Sequence, residues 1–217
     1  MMKNKEVRSY NFDIRTSDSN DNGVKVIEGR AIVYGSKYDN GMWDEYIDAG
    51  ALDNCDLKDV RLLINHNTDM IPLARSRNNT PNSTMQLIAD EDGLGMRANL
   101  DTENNQDSKS LHSAIGRGDI TGMSFMFTVD GDKWDGLDTE HPVRHITSIN
   151  KIFEVSAVTF PAYESTSLEA RDELALDSAR SVLDSAKQKF EEEQRMSEER
   201  RTAIEKQKQR IRILASL

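Results

Sequence analysis

The amino-acid sequence predicts an α+β fold: a mainly β domain with a few helices, followed by a long charged C-terminal helix. From Val7 to about Thr166, short runs of alternating apolar and polar residues are punctuated by Gly, Pro, Asn and Asp, the pattern of half-buried strands and turns. From Glu169 to Leu217 there is no Gly and no Pro, and apolar residues recur at helical spacing. Charge separates the same two regions. Residues 169–217 carry 11 acidic and 11 basic side chains, so the whole net charge of -10 lies before them. The expected division is a domain over residues 1–168 and a helical, coiled-coil-like tail over 169–217.

Taken in order, "VRSYNFDIRT" alternates, and "VKVIEGRAIVYG" is β-branched and closes on Gly35. The Asn22-Gly23 pair between them predicts a hairpin turn. Further strands are expected at "VRLLINH", "TMQLIAD", "GLGMRANL", "GMSFMFTV", "HITSIN" and "FEVSAVTF", with "DEDG" near residue 90 as a second hairpin turn. "NNQDSKSLHSAIGRG" places Leu111, Ala114 and Ile115 on one helical face and offers Gly116 or Gly118 as its C-terminal cap. "SRNNTPNST" and "VDGDKWDGLDTEHP" read as polar loops. In the tail, Leu176, Ala179, Leu183, Ala186 and Phe190 recur every three or four residues. The stripe weakens through "EEEQRMSEERR" and resumes at Ile204, Ile211 and Leu214, which predicts a long solvated helix that packs or pairs through a narrow seam.

Composition excludes several functions. The single Cys55 cannot form an internal disulfide, and the N-terminus lacks an apolar signal region, so a reducing, cytoplasmic setting is expected. No apolar run approaches the roughly 18 residues of a membrane span. The acidic excess argues against a nucleic-acid partner, which requires a basic face. "DGDKWDGLDTE" resembles a calcium loop, but the twelfth position counted from Asp130 is His141 instead of Glu. There is no phosphate-cradling glycine loop and no CxxC, so neither cofactor nor metal is expected.

Nucleophilic chemistry is a class these residues could carry. A serine reacts at neutral pH only when a base within hydrogen-bond reach takes its proton, and histidine suits that task. Of the four histidines, His66 ends the apolar run "VRLLINHN", where a strand fixes the backbone and the ring can face a cleft. His112 reads as a solvated helix residue. His141 and His145 bracket Pro142, which argues against a helix-borne metal pair. Ser124, in "TGMSFMF", follows Gly122 on an apolar strand; the residues alone leave it open between a hydrogen-bonded core serine and a nucleophile. Glu154 is a carboxylate inside the apolar strand "KIFEVSAVTF", either an outward-facing acid or the third group that would orient a histidine, with Ser156 two residues along on the same face.

Six segments carry a resemblance: "EGRAIVYG", "EYIDAGAL", "LLINHNTDMIPLARS", "DEDGLGMRANL", "LHSAIGRGDITGMSFMF" and "EVSAVTFPAYESTS". In this order, over about residues 26–167, they resemble the prohead (procapsid) maturation proteases of tailed bacteriophages, which are similar in fold to herpesvirus assembly proteases. Ala74 stands where the family often has glycine before the arginine, and Met126 where glycine often follows the phenylalanine. The resemblance implies a barrel-like, herpesvirus-protease-like domain and a serine endopeptidase. Ser124 would be its nucleophile, His66 its general base and Glu154 its third member; His145 is the rival for that third place, because herpesvirus relatives use a second histidine there. It implies as partners the major capsid protein, a scaffold protein, and the chain itself through self-cleavage, in the host cytoplasm inside the immature procapsid. The junction around residues 164–175 is an expected cleavage site. The tail would tether the enzyme to a helical scaffold or pair with itself. The alternative function is a non-catalytic scaffold or capsid-assembly module acting through the tail.

Overall fold

The computed structural model describes residues 5–10, 14–17, 24–161 and 173–215, and the side chains of 173–179 and 215 are left aside. The Asn22-Gly23 turn, the Leu176 and Ala179 side chains and most of the 164–175 junction therefore lie outside the described residues.

The strands are β1 (Glu6–Tyr10), β2 (Ile14–Ser17), β3 (Lys25–Val33), β4 (Tyr38–Asp39), β5 (Asp44–Ile47), β6 (Arg61–Ile64), β7 (Ala74–Arg75), β8 (Met85–Asp90), β9 (Gly93–Leu100), β10 (Gly122–Asp135) and β11 (Val143–Val158). The helices are α1 (Gln106–Gly116) and α2 (Glu173–Ala215). One sheet runs β1-β10-β11-β5-β4, with β6 paired to β11 and β7 to β6; the other runs β2-β3-β9-β8. Both are open sheets among the described residues, so the closed ring that a barrel requires is not found in the strand pairing.

The β11 strand organises the larger sheet. Its first part pairs in parallel with β5 (His145 opposite Tyr46) and its second part in parallel with β6 (Ser156 opposite Leu63). The whole of its other edge pairs antiparallel with β10, and β1 covers the far edge of β10. "HITSIN" and "FEVSAVTF" are thus one strand, and β10 runs past "GMSFMFTV" to Asp135, well into the expected loop. Register shifts between Met126 and Asp132 let this long ribbon bend without losing its pairing. The two sheets share one apolar core, in which Phe125, Phe127, Ile152 and Val155 meet Ile27, Ile32, Leu94 and Met96, with Leu111 and Ile115 of α1 closing it.

Local signals behave as their chemistry dictates. In the β8–β9 turn, Asp90 accepts hydrogen bonds from the Asp92 and Gly93 amides, and Gly93 (φ 137°) is demanded because a Cβ there would overlap the Ile32 carbonyl. Asn105 caps α1 by accepting from the Asp107 and Ser108 amides. Of the two glycines offered as its C-cap, Gly118 (φ 76°) ends the helix, while Gly116 lies within it. Helix α2 meets β1. There, Val182, Leu183, Ala186, Lys187 and Phe190 are half-buried, and from Glu191 to Leu214 every residue is exposed. No helix of the described residues is long and apolar enough to cross a membrane.

Candidate active site

Alternation along three paired strands builds the site. On β10, Met123, Phe125 and Phe127 point into the core, which turns Ser124 to the opposite face of the sheet. Ser124 lies opposite Ser156 on β11 and Ser9 on β1, giving a row of three serines across the sheet. Glu154 shares that face two residues before Ser156.

His66 reaches the row by an uncommon backbone path. After β6 the chain passes through two consecutive left-handed residues, Asn65 (φ 50°) and His66 (φ 56°), a region that costs about 1–2 kcal/mol per non-glycine residue. Several bonds hold it there. The Asn65 amide donates to the Ala157 carbonyl (3.0 Å), its side chain bonds both the Thr159 amide (2.9 Å) and the Thr159 hydroxyl (3.0 Å), and the His66 amide donates to Ser156 Oγ (3.1 Å). The reversal brings the imidazole back over β11 and β10.

The ring closes a continuous line. His66 Nε2 lies 2.5 Å from Ser124 Oγ, and Nδ1 lies 2.6 Å from Glu154 Oε1. The second carboxylate oxygen, Oε2, accepts from Ser156 Oγ at 2.6 Å. Ser124, Ser156 and Glu154 are buried, whereas the His66 side chain keeps 21% of its surface exposed. An ionised Glu154 fixes the tautomer with the proton on Nδ1, which leaves Nε2 as an acceptor facing the serine. This arrangement can move a proton off Ser124 and stabilise the resulting imidazolium.

Ser124 has further contacts that the sequence does not announce. Its hydroxyl donates to the Arg8 carbonyl (2.8 Å) and accepts from Ser9 Oγ (2.8 Å). Its single proton is therefore shared between two acceptors, Arg8 O and His66 Nε2, and the oxygen has no solvent-exposed surface. The space a Cβ would fill at Gly122 is taken by the Pro161 ring, with the Tyr10 carbonyl beside it, so the glycine makes room for these neighbours of the same chain.

The remaining candidates stand elsewhere. His145, near the start of β11, stacks on Tyr46 and bonds Asp48 through Nδ1 (2.9 Å), while the His66 Nδ1 position is occupied by Glu154. His141 bonds Asp44 (3.0 Å). Asp39, Asp44 and His141 cluster, but Lys37 Nζ lies 3.0 Å from Asp44 and supplies the positive charge. His112 on α1 is half-buried rather than fully solvated, its pKa pushed down by burial. Burial pushes the Cys55 thiol up to about 12, which removes it as a competing nucleophile. Ser156 was visible in the sequence as the residue sharing a face with Glu154; Ser9 was not, because its partner lies 115 positions away.

Comparison with known proteins bears on the same segments. A family model described as the caudovirus prohead serine protease matches residues 10–179. The chain belongs to that family. It is similar to the prohead protease of Enterobacteria phage HK97, 27% identical over 168 residues, which cover 76% of this chain and 68% of the relative. No solved structure matches the chain. The prohead protease match takes in His66, Ser124 and Glu154 and stops at residue 179, early in α2. A prohead serine protease is a hydrolase, and membership makes this chain a serine protease of phage capsid maturation.

Proposed function

We propose that the chain is a serine endopeptidase that cleaves scaffold protein, or the scaffold-like segment of the major capsid protein, and itself, inside the immature procapsid in the host cytoplasm. Ser124 is the nucleophile, His66 the general base and Glu154 the third member. The observation that carries this reading is the unbroken line Ser124 Oγ–His66 Nε2 and His66 Nδ1–Glu154 Oε1, at 2.5 and 2.6 Å.

The steps follow from the geometry. As Ser124 Oγ bonds to the scissile carbonyl carbon, its proton passes to His66 Nε2, and the positive ring is held by Glu154 across Nδ1. His66 then gives that proton to the departing amine, the C–N bond breaks, and an acyl-serine remains. Water attacks the ester by the same route, losing its proton to His66, and Ser124 is restored. Ser156 ties the base to the acid, because it donates to the free oxygen of Glu154 and accepts from the backbone amide of His66. Residues 1–168 form the protease domain in this reading, and residues 169–217 form the tail that tethers it to helical segments of the assembling shell.

Co-expression with the capsid and scaffold proteins of the same phage, followed by mass spectrometry, tests the proposal. Processed capsid protein and self-cleaved chain are expected from the native sequence and neither from Ser124→Ala; equal processing by both would end it.

A further inference from the structure

The distal part of α2 has a charge pattern that selects a partner. The apolar spacing sets a single heptad register through the helix, with Leu183, Phe190, Ser197, Ile204 and Ile211 at position a and Ala186, Glu193, Arg200, Gln207 and Leu214 at position d. In this register the flanking e and g positions from Arg180 to Leu214 include Arg180, Lys187, Lys189, Arg201, Lys208 and Arg210, and no acid. Acids occupy the back of the helix, at b and c: Asp184, Glu191, Glu192, Glu198, Glu199 and Glu205. The tail is nearly neutral overall, yet its seam is bordered by positive charge.

That segregation leaves self-pairing without ion pairs along the seam. In a parallel pair of helices the g residues of one chain meet the e residues of the other, and in an antiparallel pair e meets e and g meets g. In the parallel pair each basic residue meets a neutral one, as Lys189 meets Gln194, Met196 meets Arg201 and Ala203 meets Lys208, and in the antiparallel pair the meetings are basic or neutral on both sides, so neither arrangement gains an opposite charge. A parallel pair would also set Arg200 against Arg200 and Glu193 against Glu193 inside the seam. Against this repulsion the distal seam offers Ile204, Ile211 and Leu214, all exposed. The half of the stripe that is richer in apolar residues, Leu183, Ala186 and Phe190, is already half-buried where α2 meets β1.

We propose that Glu191–Leu214 of α2 is a docking surface for an amphipathic helix of a different protein with acidic residues at its e and g positions, and not for a second copy of this chain. Such a helix would cover the three apolar side chains and place carboxylates beside Arg201, Lys208 and Arg210. The surface is about 36 Å long at 1.5 Å per residue. The inference is independent of the catalytic reading, since binding is measured without cleavage.

Two labelled synthetic peptides of four heptads test it against the full-length chain by fluorescence anisotropy. Both carry Ile at a and Leu at d. One has Glu and the other Lys at all e and g positions, with the opposite charge at b and c and Gln at f, so that both are neutral overall. The acidic-flanked peptide is expected to bind at least about tenfold more tightly, and added salt should shrink that preference. The triple substitution Arg201→Glu, Lys208→Glu and Arg210→Glu should reverse the preference while circular dichroism shows the helix retained. Sedimentation of the chain alone should show a monomer at the same concentrations. Equal binding of the two peptides, or of neither, overturns the proposal, as does a dimer of the chain that Ile204→Glu with Ile211→Glu dissolves.

Discussion

Two buried polar clusters sit back to back on the same strands, and they do different work. On the face of β1, β10 and β11 that carries Ser124, the groups are Ser9, Ser124, His66, Glu154 and Ser156. On the other face, Arg8 and Arg144 interlock with Glu6 and Glu45: Arg8 bonds Glu6 (2.6 Å) and Glu45 (2.8 Å), and Arg144 bonds Glu6 (2.7 Å) and Glu45 (3.0 Å). All four are nearly inaccessible, and their charges cancel. Arginine does not give up its proton at any working pH, so the inner cluster is a fixed lattice of charge. The outer cluster turns on an imidazole bonded on both ring nitrogens, with one edge open to solvent. Burial alone therefore does not tell the two clusters apart; a partly exposed imidazole at the centre does. Arg8 joins the two, because its side chain belongs to the inner cluster and its carbonyl accepts from Ser124.

Substitutions on the two faces should separate chemistry from stability. The largest effect is expected from Ser124→Ala or His66→Ala, each lowering turnover by about 10⁴-fold or more while thermal unfolding stays near that of the native chain, as read by product mass spectrometry and calorimetry. Glu154→Gln should follow, with a loss on the order of 10⁴-fold from the wrong imidazole tautomer, and His145→Ala should stay within a few-fold. A larger loss for His145 than for Glu154 would move the third place to the histidine. On the inner face, Glu45→Ala leaves Arg8 with Glu6 as its one carboxylate partner while Arg144 keeps Glu6 and Asp132, and a loss of about 3–5 kcal/mol is expected in denaturant titration. The same cluster sets an acid limit. Burial works against the Glu6 charge, yet Arg8 and Arg144 together hold its carboxyl below the ordinary range. A depressed folded pKa gives stability that is present above the unfolded value of about 4.3 and is lost as pH falls through the lower folded one. Melting temperature should therefore decline below about pH 4.3, and Glu6→Gln should flatten that decline. The smallest effect belongs to Ser156→Ala, which frees one oxygen of Glu154 and the His66 amide; turnover should fall by about tenfold, with the pH–rate profile displaced and stability changed little. An unmoved profile would reduce Ser156 to a packing residue.

How far the sequence speaks differs between these faces too. The residues of the proposed triad stood out because each broke a local pattern: His66 at the end of an apolar run, Ser124 within one, Glu154 inside a β-branched strand. Strands with several apolar residues in register, such as "GLGMRANL", were legible to their boundaries. The two- to four-residue strands β4, β5 and β7 were not, since so few residues carry no periodicity. The far half of β10 was hidden because its side chains are mostly exposed and rich in Gly and Asp, so pairing there rests on backbone bonds that composition does not report. The inner cluster inverted the usual rule. On β1 the alternation was visible, but Glu6 and Arg8 face the interior while Val7 is only half-buried. A charged residue reads as outward until the partners that neutralise it are known, and here they lie 37 and 138 positions away.

The β6–β11 pairing is parallel, so no tight turn can form it, and His66 and Glu154 are 88 positions apart. Assembly of the relay must wait for a long loop to close, among the slowest kinds of contact in folding. During synthesis the ribosome releases His66 first, then Ser124, and last the strand that unites them. A chain interrupted before Glu154 carries a hydroxyl and an imidazole with nothing to bring them together. Order of translation thus leaves the Ser124–His66–Glu154 line unformed until nearly all of the β structure has been made.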